Sequence, residues 1–352
     1  MKSLLTAGLL AVALTFTGTI VAAQEIDSLE SGLFETEDIF LNSEVGSVRD
    51  VVIQSANNLS GSLTIRAGEE DAVLITYTKR AKAVDRSMAT DFIDLIDVTL
   101  DVLPTRISVK LRAPNPAPWS GTDYSGSVQA ELILPPGSRI DIESPLYDVT
   151  AQGPFEEVII PESLGRLEIT EVTGRVMVAS VNRRVLLENI TGEISASTSN
   201  SSLRAVNIDT RDHQAKFRNT GGDIRIENFV GGINAKNSYG RITILDFEPR
   251  GQSNFIRGSS GPITLEISRM TEGQLVVANR HEDIDISVPD SISAYLTLAV
   301  DQDGLIEATH FPFVSDLVQR DRLSLIAGEG DVDISGTVRG KGNIYIRGVK
   351  GE

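Results

Sequence analysis

Cysteine is absent from the 352 residues. That excludes disulfides, thiolate metal sites, thiol nucleophiles and a lipid-anchoring cysteine behind a leader. Histidine occurs only as His213, His281 and His310, and no Gly-x-Ser-x-Gly elbow accompanies them. His281 precedes Glu282-Asp283-Ile284-Asp285 and reads as a solvated turn residue. Aromatics make up 5 % of the chain, with Trp119 the single tryptophan, so the core must be aliphatic. Basic residues are outnumbered 49 to 32, for a net charge of −17. So acidic a chain is repelled by nucleic acid and by anionic membranes, and no nucleic-acid partner is expected. Long hydrophobic runs are missing beyond residue 20, so no transmembrane segment is expected after leader cleavage.

The one long apolar run, Leu4 to Ile20, follows Lys2 and precedes the small residues Val21-Ala22-Ala23. This is the pattern of a signal peptide over 1–23, cleaved before Gln24. An uncleaved membrane anchor is the competing reading. Either way the chain is exported, to the periplasm or to the cell surface and beyond.

What the chain has in abundance is one short phrase. A glycine is followed by an apolar–polar–apolar alternation, as in Gly222-Asp223-Ile224-Arg225-Ile226, Gly240-Arg241-Ile242-Thr243-Ile244 and Gly261-Pro262-Ile263-Thr264-Leu265. Further copies begin at Gly61, Gly165, Gly174, Gly192, Gly330 and Gly342. The period is about 20 residues, in the range of solenoids and stacked β arrays. Gly174 to Gly192 and Gly222 to Gly240 are equal intervals, and Gly240 to Gly261 is slightly longer. Glycine suits a positive-φ corner, and the two aliphatics fall on one strand face. Such a strand buries too little alone, but stacked copies bury a continuous column. About ten rungs, stacking to roughly 45–50 Å, are expected from residue 141 onward. A β-sandwich of hairpins is the alternative.

These features predict an all-β fold: a right-handed, β-helix-like solenoid over 141–352, preceded by a β-rich portion over 24–140. Residues 24–45 are acidic and read as a loosely held lead-in. A single short helix is expected within 84–97, with Asp85 as N-cap and Met88, Phe92, Ile93, Leu95 and Ile96 on one face.

The leader, the Gly61–Ile65 phrase, the Leu132–Gly137 strand-to-turn, the serial glycine phrases and the closing Gly330–Ile346 pair together resemble the DUF4097 family of adhesin-like β-solenoids. The resemblance implies an exported envelope protein, with some members accompanying envelope-stress regulators. It carries over no catalytic residues.

Candidate contact residues are few. Trp119 and Tyr124 lie on a Pro/Gly-rich loop, where they would form a stacking platform or else plug the end of a sheet. Asp283 and Asp285, like Asp331 and Asp333, form i,i+2 pairs about 7 Å apart on one strand face. Such a pair could take part in Ca²⁺ binding or acid–base cleavage of sugars, or simply be the outward face of an acidic stack. Asn182, Asn200, Asn219, Asn228 and Asn237 read as structural turn residues. The expected role is non-catalytic and cofactor-free: an adhesin-like or structural protein meeting an envelope, surface or glycan partner. The alternatives are a carbohydrate-active β-helix enzyme and a periplasmic accessory of an envelope-stress system.

Overall fold

The copies of the glycine phrase at Gly222, Gly240 and Gly261 each precede a strand, and those strands lie directly above one another. The computed structural model describes residues 25–30, 32–301 and 303–350. The expected leader over 1–23 and its cleavage point lie outside these residues. Leu203 pairs with Ile224, Ile224 with Ile242, Ile242 with Ile263 and Ile263 with Ile284, all in parallel register. Partners on successive rungs, such as Asp223 with Arg241 and Asn207 with Asn228, lie 18 or 21 residues apart. All five stacked aliphatic side chains are buried, so the apolar positions form one continuous column.

Two parallel ladders run side by side. In one, Leu59–Ala67 is followed by the first halves of Tyr147–Ser163 and Leu167–Ser180, then Val185–Thr191. The first halves of Leu203–Asn219 and Ile224–Asn237 continue it, then Ile242–Pro249, Ile263–Ile267 and Ile284–Pro289. The other starts with Asp50–Ser55 and Arg139–Glu143 and takes the second halves of the same long strands. It continues through Glu193–Thr198, Ser253–Arg257 and Gln274–Asn279. Each turn of chain thus gives one strand to each ladder. Among the described residues the architecture is almost all β with one short helix, as expected, and its strands repeat. Among the described residues no helix is long and apolar enough to cross a membrane.

Within the first ladder each strand turns a corner through one left-handed residue per level. Glu171, Asn189, Asn207, Asn228 and Asp246 all have φ between 50° and 59°. Asn fits here because its short polar side chain tolerates this region. It also stacks: Asn207 Nδ2 donates to Asn189 Oδ1 and Asn228 Nδ2 to Asn207 Oδ1, both at 2.9 Å. A second, buried polar column satisfies the turns. Ser180, Thr198, Asn219, Asn237 and Asn279 each donate to a carbonyl of the neighbouring turn at 2.7–3.0 Å. Burial without those bonds would be costly.

The expected positive φ is found at Gly61, Gly192, Gly330 and Gly342 but not at every glycine of the phrase. Gly222, Gly240 and Gly261 do not have positive φ. A Cβ on Gly240 would stand 2.1 Å from the Gly222 carbonyl oxygen, and one on Gly261 2.2 Å from that of Gly240. Close approach between rungs, not left-handed backbone, excludes a side chain here.

Both ends depart from the simple repeat. Residues 24–45 are not a loose lead-in: Ile26–Glu30, Leu33–Thr36 and Ile39–Glu44 are strands, and the last two pair antiparallel with Ala72–Lys82. The helix spans Arg86–Asp94, and Asp85 caps it by accepting from the Met88 N–H at 2.9 Å. Phe92 and Ile93 are buried, whereas Leu95 lies past the helix end and is exposed. At the other end, Val332–Val338 and Ile344–Val349 do not form the outermost rung. They slot between Gln274–Asn279/Ile284–Pro289 and Ala294–Val300/Ile306–Thr309. Arg322–Ala327 and Val314–Val318 instead extend the second ladder past Ala294–Val300 by antiparallel pairing.

Candidate functional site

The Trp119 loop is held against the helix by apolar contact. The indole is 4 % exposed, meets Phe92 edge-on at 5.3 Å, and donates through Nε1 to the Asn58 carbonyl at 2.9 Å. Gly126 lies so close beneath it that a Cβ would come within 2.6 Å of the ring. Tyr124 is half-buried, its ring 6.2 Å from that of Phe92. The two aromatics come together, around Phe92, with the indole turned into the core.

Asp283 and Asp285 are brought to one strand but to different tasks. Asp283 Oδ1 accepts the backbone N–H of Asn343 at 2.7 Å. Asp148 does the same for Arg166 at 2.7 Å, and Asp223 for Arg241 at 2.9 Å. These three carboxylates occupy one position of the repeat, next to the first inward aliphatic of the rung, and each fastens the turn of the next rung. Asp285 stands on the outward face between Thr264 and Tyr345, with Arg347 at 3.9 Å. Asp331 and Asp333 are exposed. Among the described residues no three His, Cys, Asp or Glu side chains gather closely enough to hold a metal ion.

The grooves lie elsewhere. One, about 810 Å³, is lined by Asp209, Asp212, His213, Arg250 and Glu272. Its charges are partly spent: Arg250 pairs with Glu248 at 2.9 Å, and Asp209 Oδ1 accepts the Arg211 N–H at 2.8 Å. A second groove of about 580 Å³ is lined by Lys236, Arg257, Arg280 and Arg339, with no carboxylate. A third, about 520 Å³, holds Arg166, Arg183 and Arg184 beside Asp148. Arg166 reaches Asp148 at 3.6 Å and Arg184 reaches Glu168 at 4.0 Å.

Sequence reasoning passed over the second groove. Its signal was present: Arg218, Lys236 and Arg257 recur at the repeat's own intervals. Column-wise reading of outward positions would have found it.

No family model and no curated protein matches the chain. Among solved structures, a putative adhesin from Parabacteroides merdae is similar at 9 % identity and a TM-score of 0.34, covering 88 % of this chain and 95 % of its own. A putative cell adhesion protein from Clostridium sporogenes has 9 % identity and a TM-score of 0.23, covering 89 % and 99 %. A putative adhesin from Parabacteroides distasonis has 8 % identity and a TM-score of 0.23, covering 88 % and 97 %. At these scores the likeness carries no argument about this chain.

Proposed function

We propose that the chain is a non-catalytic, exported, right-handed β-solenoid of the cell envelope, which binds its partner along the outward faces of its ladders. In this reading the rungs of 24–140 continue into those of 141–352, since Arg139–Glu143 pairs with Asp50–Ser55. Right-handed crossover is the ordinary hand for parallel strands joined in this way. The observation that carries the proposal is the use made of the recurrent polar residues. Asp148, Asp223 and Asp283 fasten turns, and the Asn column fastens corners, so the repeat spends its polar groups on stacking. Outward residues are left free to vary from rung to rung, which suits an extended binding surface.

The rival is hydrolysis of a polysaccharide, and the Asp209–Glu272 groove is where it would reside, because acids of both rims and His213 converge there. The deciding experiment incubates the purified chain with neutral and acidic polysaccharides, measuring both co-sedimentation and new reducing ends. Binding without turnover is expected. Reducing ends that disappear in Asp212→Asn or Glu272→Gln would make the protein an enzyme. Export is checked by N-terminal sequencing of the mature protein, which should begin at Gln24.

A further inference from the structure

One face of the stack contradicts the acidity of the whole. Four successive strand segments form part of one ladder: the second halves of Leu203–Asn219 and Ile224–Asn237, then Ser253–Arg257 and Gln274–Asn279. In the paired stretches 214–219, 232–237, 253–257 and 274–279 the outward positions carry no carboxylate. They do carry a line of cations, because Arg218 pairs in register with Lys236 and Lys236 with Arg257. Neighbouring strands are about 4.8 Å apart, so these charges stand one above another at that interval. Arg280 and Arg339 extend the line at the adjoining turns and share the 580 Å³ groove with Lys236 and Arg257.

None of these five side chains has an ion pair among the described residues. Several outward cations elsewhere do: Arg139 bridges Asp50 and Glu156, Arg175 bridges Glu157 and Glu193, and Arg204 and Arg225 share Glu227. In a chain of net charge −17, carboxylates are the commonest charged neighbour available. Stacked like charges in an exposed sheet repel, and a cross-strand acid would relieve that repulsion. The face has instead kept its cations aligned and unpaired, which leaves them for an anion from outside. Phe255 orients one of them, with the Arg257 guanidinium 5.4 Å from its ring centre.

We propose that this stripe binds a linear anionic polysaccharide, laid along the stack axis with its acidic groups against Arg218, Lys236, Arg257, Arg280 and Arg339. A narrow line of cations, with Lys216 beside Arg218, fits a single extended polymer. An anionic membrane would also face the acidic surface around the stripe and be repelled by it. A single-stranded nucleic acid calls for successive aromatic platforms, whereas these four segments present only Phe255 outward. The proposal gives the binding reading its ligand class and rests on that reading only in taking an outward face as the working surface.

The test is equilibrium binding of the full chain to polygalacturonate at low and high salt. Neutral dextran, an oligo-dT strand and phosphatidylglycerol vesicles are measured alongside. Polygalacturonate should bind, weaken steeply as salt screens the contacts, and outcompete the other three. Lys236→Gln/Arg257→Gln/Arg280→Gln should weaken it at least tenfold with an unchanged melting temperature, since all three residues are exposed. Arg204→Gln/Arg225→Gln, on the other ladder, should bind within twofold of the parent. Equal polygalacturonate binding by the triple variant, or no binding at low salt, overturns the stripe. So does tighter binding to oligo-dT or to the vesicles. Salt-insensitive binding to dextran would sink the stripe yet keep the binding reading. Cleavage of polygalacturonate with the stripe still required would do the reverse.

Discussion

Gly240→Ala tests whether the glycines of the repeat answer to backbone conformation or to the distance between rungs. The new Cβ would lie 2.1 Å from the Gly222 carbonyl oxygen and 2.5 Å from its carbon. Ordinary contact begins more than about 1 Å farther out, so one rung must shift against neighbours fixed by strand pairing above and below. Overpacking of that kind costs about 1–3 kcal/mol. The same carbonyl accepts the Asn237 Nδ2 hydrogen bond at 2.8 Å, and disturbing it adds roughly 0.5–1.5 kcal/mol. Because φ here is already accessible to alanine, the less flexible unfolded chain returns about 0.4–1 kcal/mol. The net loss is roughly 2–3 kcal/mol.

Denaturant unfolding measures the total, and hydrogen exchange at 222–226 and 242–244 should locate the damage to the two rungs that touch. Two companions sharpen the reasoning. Gly240→Asn should be no better than alanine, because the obstacle is the Cβ itself. Asn228→Gly should cost at most about 1 kcal/mol, since glycine accepts its φ of 53° and only the bond to Asn207 is lost. A Gly240→Ala protein as stable as the parent would refute the argument. Rescue by Gly240→Asn would point to conformation after all.

Other consequences can be checked with the same purified chain. Ile224→Asp replaces a fully buried side chain stacked between Leu203 and Ile242, and losing its burial while placing a charge there should cost more than about 4 kcal/mol; an unchanged melting temperature would refute the inward face. Asp223→Ala removes the acceptor for the Arg241 N–H and should cost about 1–2 kcal/mol by thermal melting, whereas a ligand role would show as lost binding at full stability. Hydrogen bonds from Arg204 and then Arg225 hold the Glu227 carboxyl below its usual range. A depressed carboxylate stabilises above its unfolded pKa and loses that contribution as pH falls through the folded value. The melting-temperature gap between the parent and Glu227→Gln should therefore be constant near neutrality and shrink below about pH 4.5; a gap independent of pH would contradict the assignment. Finally, Ile344→Asp should release Ala294–Val300 and Ile306–Thr309 from the stack, because both dock through the last two strands of the chain. Limited proteolysis should then cut between 290 and 331 while the rungs before 284 stay protected.

The strand-by-strand pattern was legible because burial on one face imposes a period of two, while stacking imposes a longer one of 18 or 21. Position within the stack was not legible from the same signals. Val332–Val338 and Ile344–Val349 carry the same alternation as any internal rung, and nothing local states which open edges they will meet. Their insertion one level inward is decided by pairing between segments 60 residues apart, as between Asp283 and Asn343. Residues 24–45 were obscure for a different reason: Ile39–Glu44 is exposed or half-buried throughout, with only Ile39 and Leu41 reaching the core, and its pairing to the distant Ala72–Lys82 is not written locally.

The candidate site shows how the two scales conflict. Taken residue by residue, Asp283 looked like a ligand, yet its equivalence to Asp148 and Asp223 makes it a fastener of turns. Taken over the whole chain, a charge of −17 argued against any polyanion. That inference is sound for a broad surface, which samples the average field, and fails for a narrow one. Screening confines the interaction to about 10 Å in ordinary salt, roughly two rungs of this stack. A polymer lying on Lys236 and Arg257 is governed chiefly by the charges of the second-ladder segments of its own and adjacent rungs, where the outward positions hold cations and no carboxylate. In a repeating fold the relevant unit of charge is therefore the column, and the net value constrains only partners wide enough to cover several columns at once.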